Sequence, residues 1–304
     1  MSKRQNRDQI VIATKYTTAF RAGHGDKEII INSMGNGAKS MHVSVAASLA
    51  KLKTTYIDLL WVHWWDYTTQ VEEVMHALNV LVNQGKVLYL GISDTPAWII
   101  VKANAYARQH GLRPFSVWQG RWSAEHRDVE RDVIQMCASE GMAMAPWGTL
   151  GGGAFKTKEQ RKAIEEKAQK EGRAIEISPS AIKVAEVLEK VAERKKTLLT
   201  SVALAYVMHK TPYVFPIIGG RNIEHLKGNI EALKLRLTDE DIKEIESAKE
   251  FDRGFPASQF GHSADTTWLS NLGGFCEYVS EQKPIVPKEN WERETGETDK
   301  SLLK

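Results

Sequence analysis

Short apolar runs alternate with stretches of helical periodicity along most of the chain. Six runs are rich in β-branched and aromatic residues, which predicts strands. They are QIVIATKY (9–16), YIDLLWVHWW (56–65), VLYLGISD (87–94), SVWQGRW (116–122), MAMAPWG (142–148) and YVFPIIG (213–219). Strands that alternate with helices predict an α/β fold with a parallel sheet, either open and doubly wound or closed into a barrel.

Helix starts are marked in the same pattern. Thr69 and Glu72 form a capping box before VEEVMHALNVLV, whose apolar residues share one helical face. Thr95 with Pro96, and Ser178 with Pro179, have the N-cap and first-turn residues typical of two further helices.

The placement of polar residues favours the barrel over the open sheet. They fall at the carboxyl ends of the predicted strands, where a barrel carries its functional residues. These residues are Lys15, His63, Ser93, Asp94, Gln119, Trp147 and the group at 219–221. No predicted strand is followed by a GxGxxG turn, so a Rossmann domain has no sequence support. A closed barrel needs eight strands, however, and the pattern supplies six.

Composition narrows the class of protein. The 304 residues include 41 Lys+Arg and 38 Asp+Glu, and the formal net charge of +3 shows no nucleic-acid footprint. The opening MSKRQNRDQ lacks a signal-peptide core, and no apolar run reaches about 18 residues, so we expect a cytoplasmic protein without a membrane role. Cys137 and Cys276 fit reduced thiols better than a disulfide framework, and no metal site is expected.

Six motifs resemble, in order, the strand-end motifs of the aldo-keto reductases. They are IVIATKY, YIDLLWVHWWD, KVLYLGISD, WQGRW, APWG followed by GGG, and IIGGRNIEHLKGNI. The resemblance covers roughly residues 5–255 and is strongest to the fungal aryl-alcohol dehydrogenase branch. It implies a (β/α)8 TIM barrel that lacks its first two βα units here, which accounts for the six strands. We expect one domain over residues 1–250 and an irregular or short-helical extension over 251–304.

The resemblance also implies hydride transfer between NADP(H) and an aryl alcohol, aldehyde or related carbonyl. In the family's Asp-Tyr-Lys-His tetrad, Lys15 and His63 occupy the lysine and histidine positions. The aspartate and tyrosine belong before the lysine strand and have no counterpart in this sequence. Tyr16 and Tyr67 are adjacent to the tetrad positions, but neither occupies the position of the proton donor. An ammonium such as Lys15 would serve to lower the pKa of a phenol beside it.

Further site residues are assigned by the resemblance. Trp64, Trp65 and Tyr67 would wall an apolar pocket for an aromatic substrate. The remaining positions would bind the cofactor. Ser93, Asp94 and Gln119 would hold the nicotinamide carboxamide, Trp147 would lie near the nicotinamide, and Gly219, Gly220, Arg221 and Asn229 would grip the adenosine phosphate. A guanidinium at Arg221 favours NADP over NAD, because it can contact a 2′-phosphate with two hydrogen bonds.

Two interpretations of function remain open. The chain is either an NADP(H)-dependent oxidoreductase acting on small aromatic molecules or a non-catalytic remnant that binds NADPH or serves as a partner subunit. A nucleotide hydrolase is disfavoured, since GNGAKS at 35–40 lacks the spacing of a P-loop and reads as a flexible loop on the substrate side.

Overall fold

The computed structural model describes residues 1, 3–23, 25, 27–170, 177–220, 223–263, 266–274, 277–278 and 281–287. The predicted phosphate ligand Arg221 and the second cysteine, Cys276, lie outside them. The chain forms two compact units, which we call the sheet unit (1–120 and 132–145) and the helical unit (121–131 and 146–304).

The sheet unit contains a five-stranded parallel sheet whose strands follow one another in chain order. Its strands are β1 (Ala13–Tyr16), β2 (Ile57–Val62), β3 (Val87–Ser93), β4 (Val117–Gln119) and β5 (Ala143–Met144). The helices between them are α1 (Ala38–Leu52), α2 (Val71–Asn83), α3 (Ala97–Gln109) and α4 (Val133–Glu140). The predicted parallel α/β fold is confirmed.

The sixth predicted strand differs from the expectation. Residues 213–219 run without regular strand pairing in the described chain, and the Ile217 N–H donates to the Pro146 carbonyl at 2.8 Å. Pro216 accounts for the difference, because proline has no N–H to donate to a strand ladder.

Helix starts follow the sequence signals only in part. Ser178 caps its helix as predicted, accepting the Ala181 N–H at 3.1 Å, with Pro179 in the first turn. The Thr69–Glu72 capping box was a wrong prediction, since α2 begins at Val71 without a side-chain cap. The Thr69 N–H and hydroxyl instead bond to the Asp66 carboxylate.

The side chain of Trp61 is closely packed inside the sheet unit. Trp61 of β2 lies against Gly91 of β3, and a Cβ at Gly91 would come within 2.5 Å of the Trp61 ring. Only a glycine leaves room for the indole there.

On α4, Cys137 is buried, and its burial raises the pKa of the thiol to about 12.

The helical unit contains seven described helices and a buried, ion-paired carboxylate, that of Glu130. Its helices are α5 (Lys158–Lys170), α6 (Pro179–Lys195), α7 (Leu199–Met208), α8 (Ile223–Glu231), α9 (Asp239–Ser247), α10 (Ala257–Phe260) and α11 (Trp268–Leu272). Glu130 is almost fully buried and pairs with Arg127 at 2.9 Å and Lys210 at 3.4 Å. Burial favours the neutral acid, but these cations hold the pKa of Glu130 below its usual range.

Among the described residues, no helix has the length and apolar character needed to cross a membrane. The described part of residues 251–304 includes the short helices α10 and α11. The division into a domain over 1–250 and an extension stays a prediction.

Candidate active site

The parallel register of the sheet brings several predicted site residues to one edge. Lys15 pairs with Trp61, and the backbone N–H of His63, directly after β2, donates to the Tyr16 carbonyl at 3.3 Å. Ser93 and Gln119 are register partners at the ends of β3 and β4. Because alternate residues of a strand face opposite sides, Lys15, Trp61 and His63 share one face of the sheet. The carboxyl edge of the sheet unit therefore carries a polar cluster.

Lys15 has the properties of a lysine available to a ligand. Within the described residues its ammonium makes neither a hydrogen bond nor an ion pair, and the Nζ atom lies 5.9 Å from the centroid of the Trp61 ring. Burial lowers the pKa of Lys15, and the negative charge of Asp94 opposes this shift. The ammonium is thus partly desolvated next to an aromatic floor.

The charges of Lys15 and Asp94 both affect the pKa of His63. Burial lowers the pKa of His63, the positive charge of Lys15 lowers it further, and Asp94 acts in the opposite direction. Its Nδ1 is 3.0 Å from the Thr18 hydroxyl, which also accepts the Trp64 indole N–H at 2.9 Å. The structure therefore brings Lys15, His63, Asp94 and Trp64 together in the sheet unit.

A buried network that the sequence interpretation missed holds the loop after β2. Asn36 is fully buried, and its side chain donates to the Thr17 hydroxyl at 2.9 Å and to the Trp64 carbonyl at 3.0 Å. Asn36 and Asp66 also bond reciprocally, each accepting the other's backbone N–H at 2.7 Å. We call Asn36, Asp66 and Thr17 the loop clasp. The prediction of a flexible loop at GNGAKS is wrong, because hydrogen bonds fix Asn36 and the last three residues of the segment begin helix α1.

The charge state of Asp66 agrees with this structural role. Burial favours the neutral acid, but hydrogen bonds from Asn36, Thr68 and Thr69 lower the pKa of Asp66 below its usual value. Asp66 followed two and three residues later by threonine is a turn signal that identifies part of the clasp from sequence. The contribution of Asn36 has no such local signal, because its partners are 19 to 30 residues away in sequence.

The predicted aromatic wall is placed unevenly. Trp64 is 36% exposed and bonded to Thr18, whereas Trp65 is only 7% exposed and Tyr67 is 69% exposed. The substrate-binding role of these three residues stays a prediction, with Trp64 the member placed beside His63.

The structure excludes Tyr16 as a replacement proton donor. Its side chain is on the face opposite to Lys15, and its hydroxyl donates to the Asn36 carbonyl at 3.3 Å. Burial, with the charges of Asp66 and Glu73, raises the pKa of Tyr16 far above its ordinary value.

Ser93 and Gln119 present groups suited to a planar amide ligand. Both side chains are nearly buried, and the Asp94 N–H donates to the Gln119 carbonyl at 2.9 Å. In the described part of the chain, the Gln119 side-chain amide has no hydrogen-bond partner, and the Ser93 hydroxyl has only a 3.5 Å contact with Asp94. An amide supplies donors and an acceptor, so this pair matches the chemistry of a carboxamide.

The other predicted cofactor residues belong to the helical unit. Trp147 is partly exposed, and its carbonyl accepts the Trp122 N–H at 3.1 Å. Gly219 and Gly220 precede α8, and Asn229 is nearly buried on that helix. A Cβ at Gly219 would meet nothing within 4 Å, so its surroundings are open. The cofactor-binding role of these residues stays a prediction, as does that of Arg221, which lies outside the described residues.

Comparison with known proteins identifies the family of the chain. The sequence profile of the Aldo/keto reductase family matches residues 1–250. Over 257 residues the chain is 56% identical to norsolorinic acid reductase B of Dothistroma septosporum, covering 84% of this chain and 65% of that protein. It is 49% identical over 296 residues to an aryl-alcohol dehydrogenase of Pestalotiopsis microspora, covering 94% of this chain and 74% of that protein.

A solved structure agrees at the level of the fold. A thermostable aldo-keto reductase crystallised with the inhibitor epalrestat superposes with a TM-score of 0.62 at 22% identity, covering 81% of this chain and 74% of that one. The chain thus spans about two thirds to three quarters of the length of the relatives named here. With the family profile matched over residues 1–250, the chain belongs to the aldo/keto reductase family.

Proposed function

We propose that the chain has the hydride-transfer site of an NADP(H)-dependent oxidoreductase that interconverts aryl alcohols and the corresponding aldehydes or related carbonyls. The observation that carries this proposal is the cluster at the carboxyl edge of the sheet unit. There the positive charge of Lys15 lowers the pKa of His63, while Ser93 and Gln119 are adjacent on paired strands.

Each member of the cluster has a chemical task. A bound nicotinamide cofactor supplies or accepts the hydride. Ser93 and the Gln119 side-chain amide would fix the orientation of its carboxamide. Hydride transfer to a carbonyl leaves negative charge on oxygen, and the Lys15 ammonium and a His63 N–H stabilise that charge as it develops. Burial makes both interactions stronger than they would be in water.

The substrate class rests on Trp64 and on the named relatives. An indole exposed beside His63 offers a flat apolar surface to an aromatic ring. Relatives at 49% and 56% identity carry the names aryl-alcohol dehydrogenase and norsolorinic acid reductase. The preference for NADP over NAD rests on the sequence position of Arg221 and on its capacity for two hydrogen bonds to a phosphate.

A binding and turnover experiment tests the proposal. NADPH affinity is measured by fluorescence titration, and turnover by loss of NADPH absorbance with veratraldehyde. We expect Gln119→Ala to weaken NADPH binding about tenfold, the value of one or two hydrogen bonds, and Gln109→Ala, an exposed glutamine at the end of α3, to leave it unchanged. Lys15→Met should lower turnover at least about a hundredfold while NADPH still binds.

The results also distinguish the proposed oxidoreductase from the non-catalytic alternative. NADPH binding that depends on Gln119, without reduction of any aryl aldehyde, would favour the non-catalytic reading, in which the chain binds the cofactor or serves as a partner subunit. Failure to bind NADPH and NADH alike would contradict both.

A further inference from the structure

Thr18 lies one residue beyond the loop-clasp residue Thr17 and joins two predicted site residues through one oxygen. Its hydroxyl is 3.0 Å from His63 Nδ1 and accepts the Trp64 indole N–H at 2.9 Å. The sequence offered no signal for this role, since Thr18 is 45 residues from His63 and 46 residues from Trp64. We infer that Thr18 is a positioning residue that holds neutral His63 with its proton on Nε2 and fixes Trp64 beside it.

The protonation state follows from the donors and acceptors present. An indole can only donate, so the Thr18 oxygen is the acceptor in its bond with Trp64. The Thr18 proton then completes a chain by donating to His63 Nδ1, and hydrogen bonds arranged in such a chain strengthen one another. If Nδ1 carried the proton instead, the Thr18 hydroxyl proton would have no acceptor in the described part of the protein.

The surroundings keep the ring neutral and its other nitrogen available. Burial and the positive charge of Lys15 both disfavour the imidazolium form of His63. Across the residues that the structure describes, His63 Nε2 makes no hydrogen bond, whereas Nδ1 is engaged by Thr18. A neutral histidine has one donor and one acceptor nitrogen, so engaging Nδ1 as the acceptor leaves Nε2–H as the donor.

The backbone fixes the position of Thr18 from the other side. Thr17 has a φ of 99°, a conformation that is strained for a β-branched residue. Its buried hydroxyl accepts from Asn36 at 2.9 Å and from the His63 backbone N–H at 3.3 Å. Strained residues persist where surrounding contacts over-determine them, as the loop clasp does here. Thr17 thus ties the backbone of His63 to the same turn whose next side chain bonds to the His63 ring.

The consequence concerns the substrate. For the proposed function, on which this step rests, Nε2–H is the donor that a substrate carbonyl would receive, and Trp64 is the surface for its aromatic substituent. Since one hydroxyl bonds to both rings, Thr18 sets the angle between donor and surface. It acts on the reaction through His63 and Trp64.

Nuclear magnetic resonance of the imidazole nitrogens provides the test without requiring turnover. The full chain is labelled with ¹⁵N in its histidine rings, and His63→Gln identifies the His63 signals. We expect a neutral His63 protonated on Nε2 in the parent protein and in Thr18→Ser, which keeps the hydroxyl. Thr18→Val keeps the shape but removes the hydroxyl, so its Nδ1 signal should move to the position of an acceptor without a hydrogen bond. A thermal melt confirms that each variant is folded.

Two results would overturn the inference. One is a parent protein with the proton on Nδ1, and the other is an unchanged Nδ1 signal in folded Thr18→Val. Turnover of an aryl aldehyde supplies a second readout, in which kcat/KM should fall about tenfold in Thr18→Val, mainly through kcat, and recover in Thr18→Ser. An absence of turnover in every form, with the expected nitrogen signals, would reject the proposed function and leave the role of Thr18 standing.

Discussion

At the scale of single residues, the role proposed for Lys15 has a consequence for the stability of the chain. Its ammonium is partly desolvated and has no ion-pair partner among the described residues, so its charge contributes little to folding. We therefore expect Lys15→Met to leave the free energy of unfolding at about pH 7 unchanged or raised by up to about 1 kcal/mol, as measured by urea denaturation. A methionine would still pack on the Trp61 ring.

The lowered pKa of Lys15 also predicts how the free energy of unfolding changes with pH. The pKa of Lys15 is lowered from 10.5 in the folded chain, so between the two values the unfolded chain binds more protons. The free energy of unfolding contributed by Lys15 therefore rises with pH across that window, and Lys15→Met should remove this rise. Lys39→Met, at an exposed position on α1, is the matched control. A loss of more than about 2 kcal/mol in Lys15→Met would indicate a structural lysine.

At the scale of elements, the loop clasp joins the turn after β1 to the loop after β2. Asn36→Ala would leave the Asp66 backbone N–H and the Trp64 carbonyl without their partner. We expect it to lower the free energy of unfolding by about 2 to 4 kcal/mol, because buried polar groups would lose their hydrogen bonds. Chemical denaturation measures this, with Asn83→Ala, an exposed asparagine at the end of α2, as the control. Equal stabilities of the two variants would contradict the clasp.

At the scale of the whole chain, β1 has an open edge. In the described residues it pairs with β2 alone, and Val11, two residues before the strand, is strongly exposed. Unpaired strand edges with apolar neighbours favour association. We expect the 304-residue chain to self-associate in a concentration-dependent way in light scattering, and Val11→Lys to reduce this. Val80→Lys, on the exposed side of α2, should not. A monodisperse parent chain at all concentrations would refute the expectation.

The features that the sequence predicted are those encoded by local patterns. Alternating strands and helices gave the parallel sheet, and polar residues after apolar runs marked Lys15 and His63. The clasp and the role of Thr18 could not be read this way, because each bond joins residues that only folding brings together. The sixth strand was predicted from its apolar residues, although Pro216 removes a ladder donor.

The rate at which the buried thiol of Cys137 reacts would report local opening of the sheet unit. Alkylating reagents attack the thiolate form of cysteine. In the folded sheet unit, burial shields Cys137 from the reagent and raises its pKa to about 12, so little thiolate is present. Modification of Cys137 must therefore wait for α4 to separate from its neighbours. In a Cys276→Ser background, the labelling rate would report how often that part of the molecule opens, and slower labelling in the presence of a ligand would show that binding holds it shut.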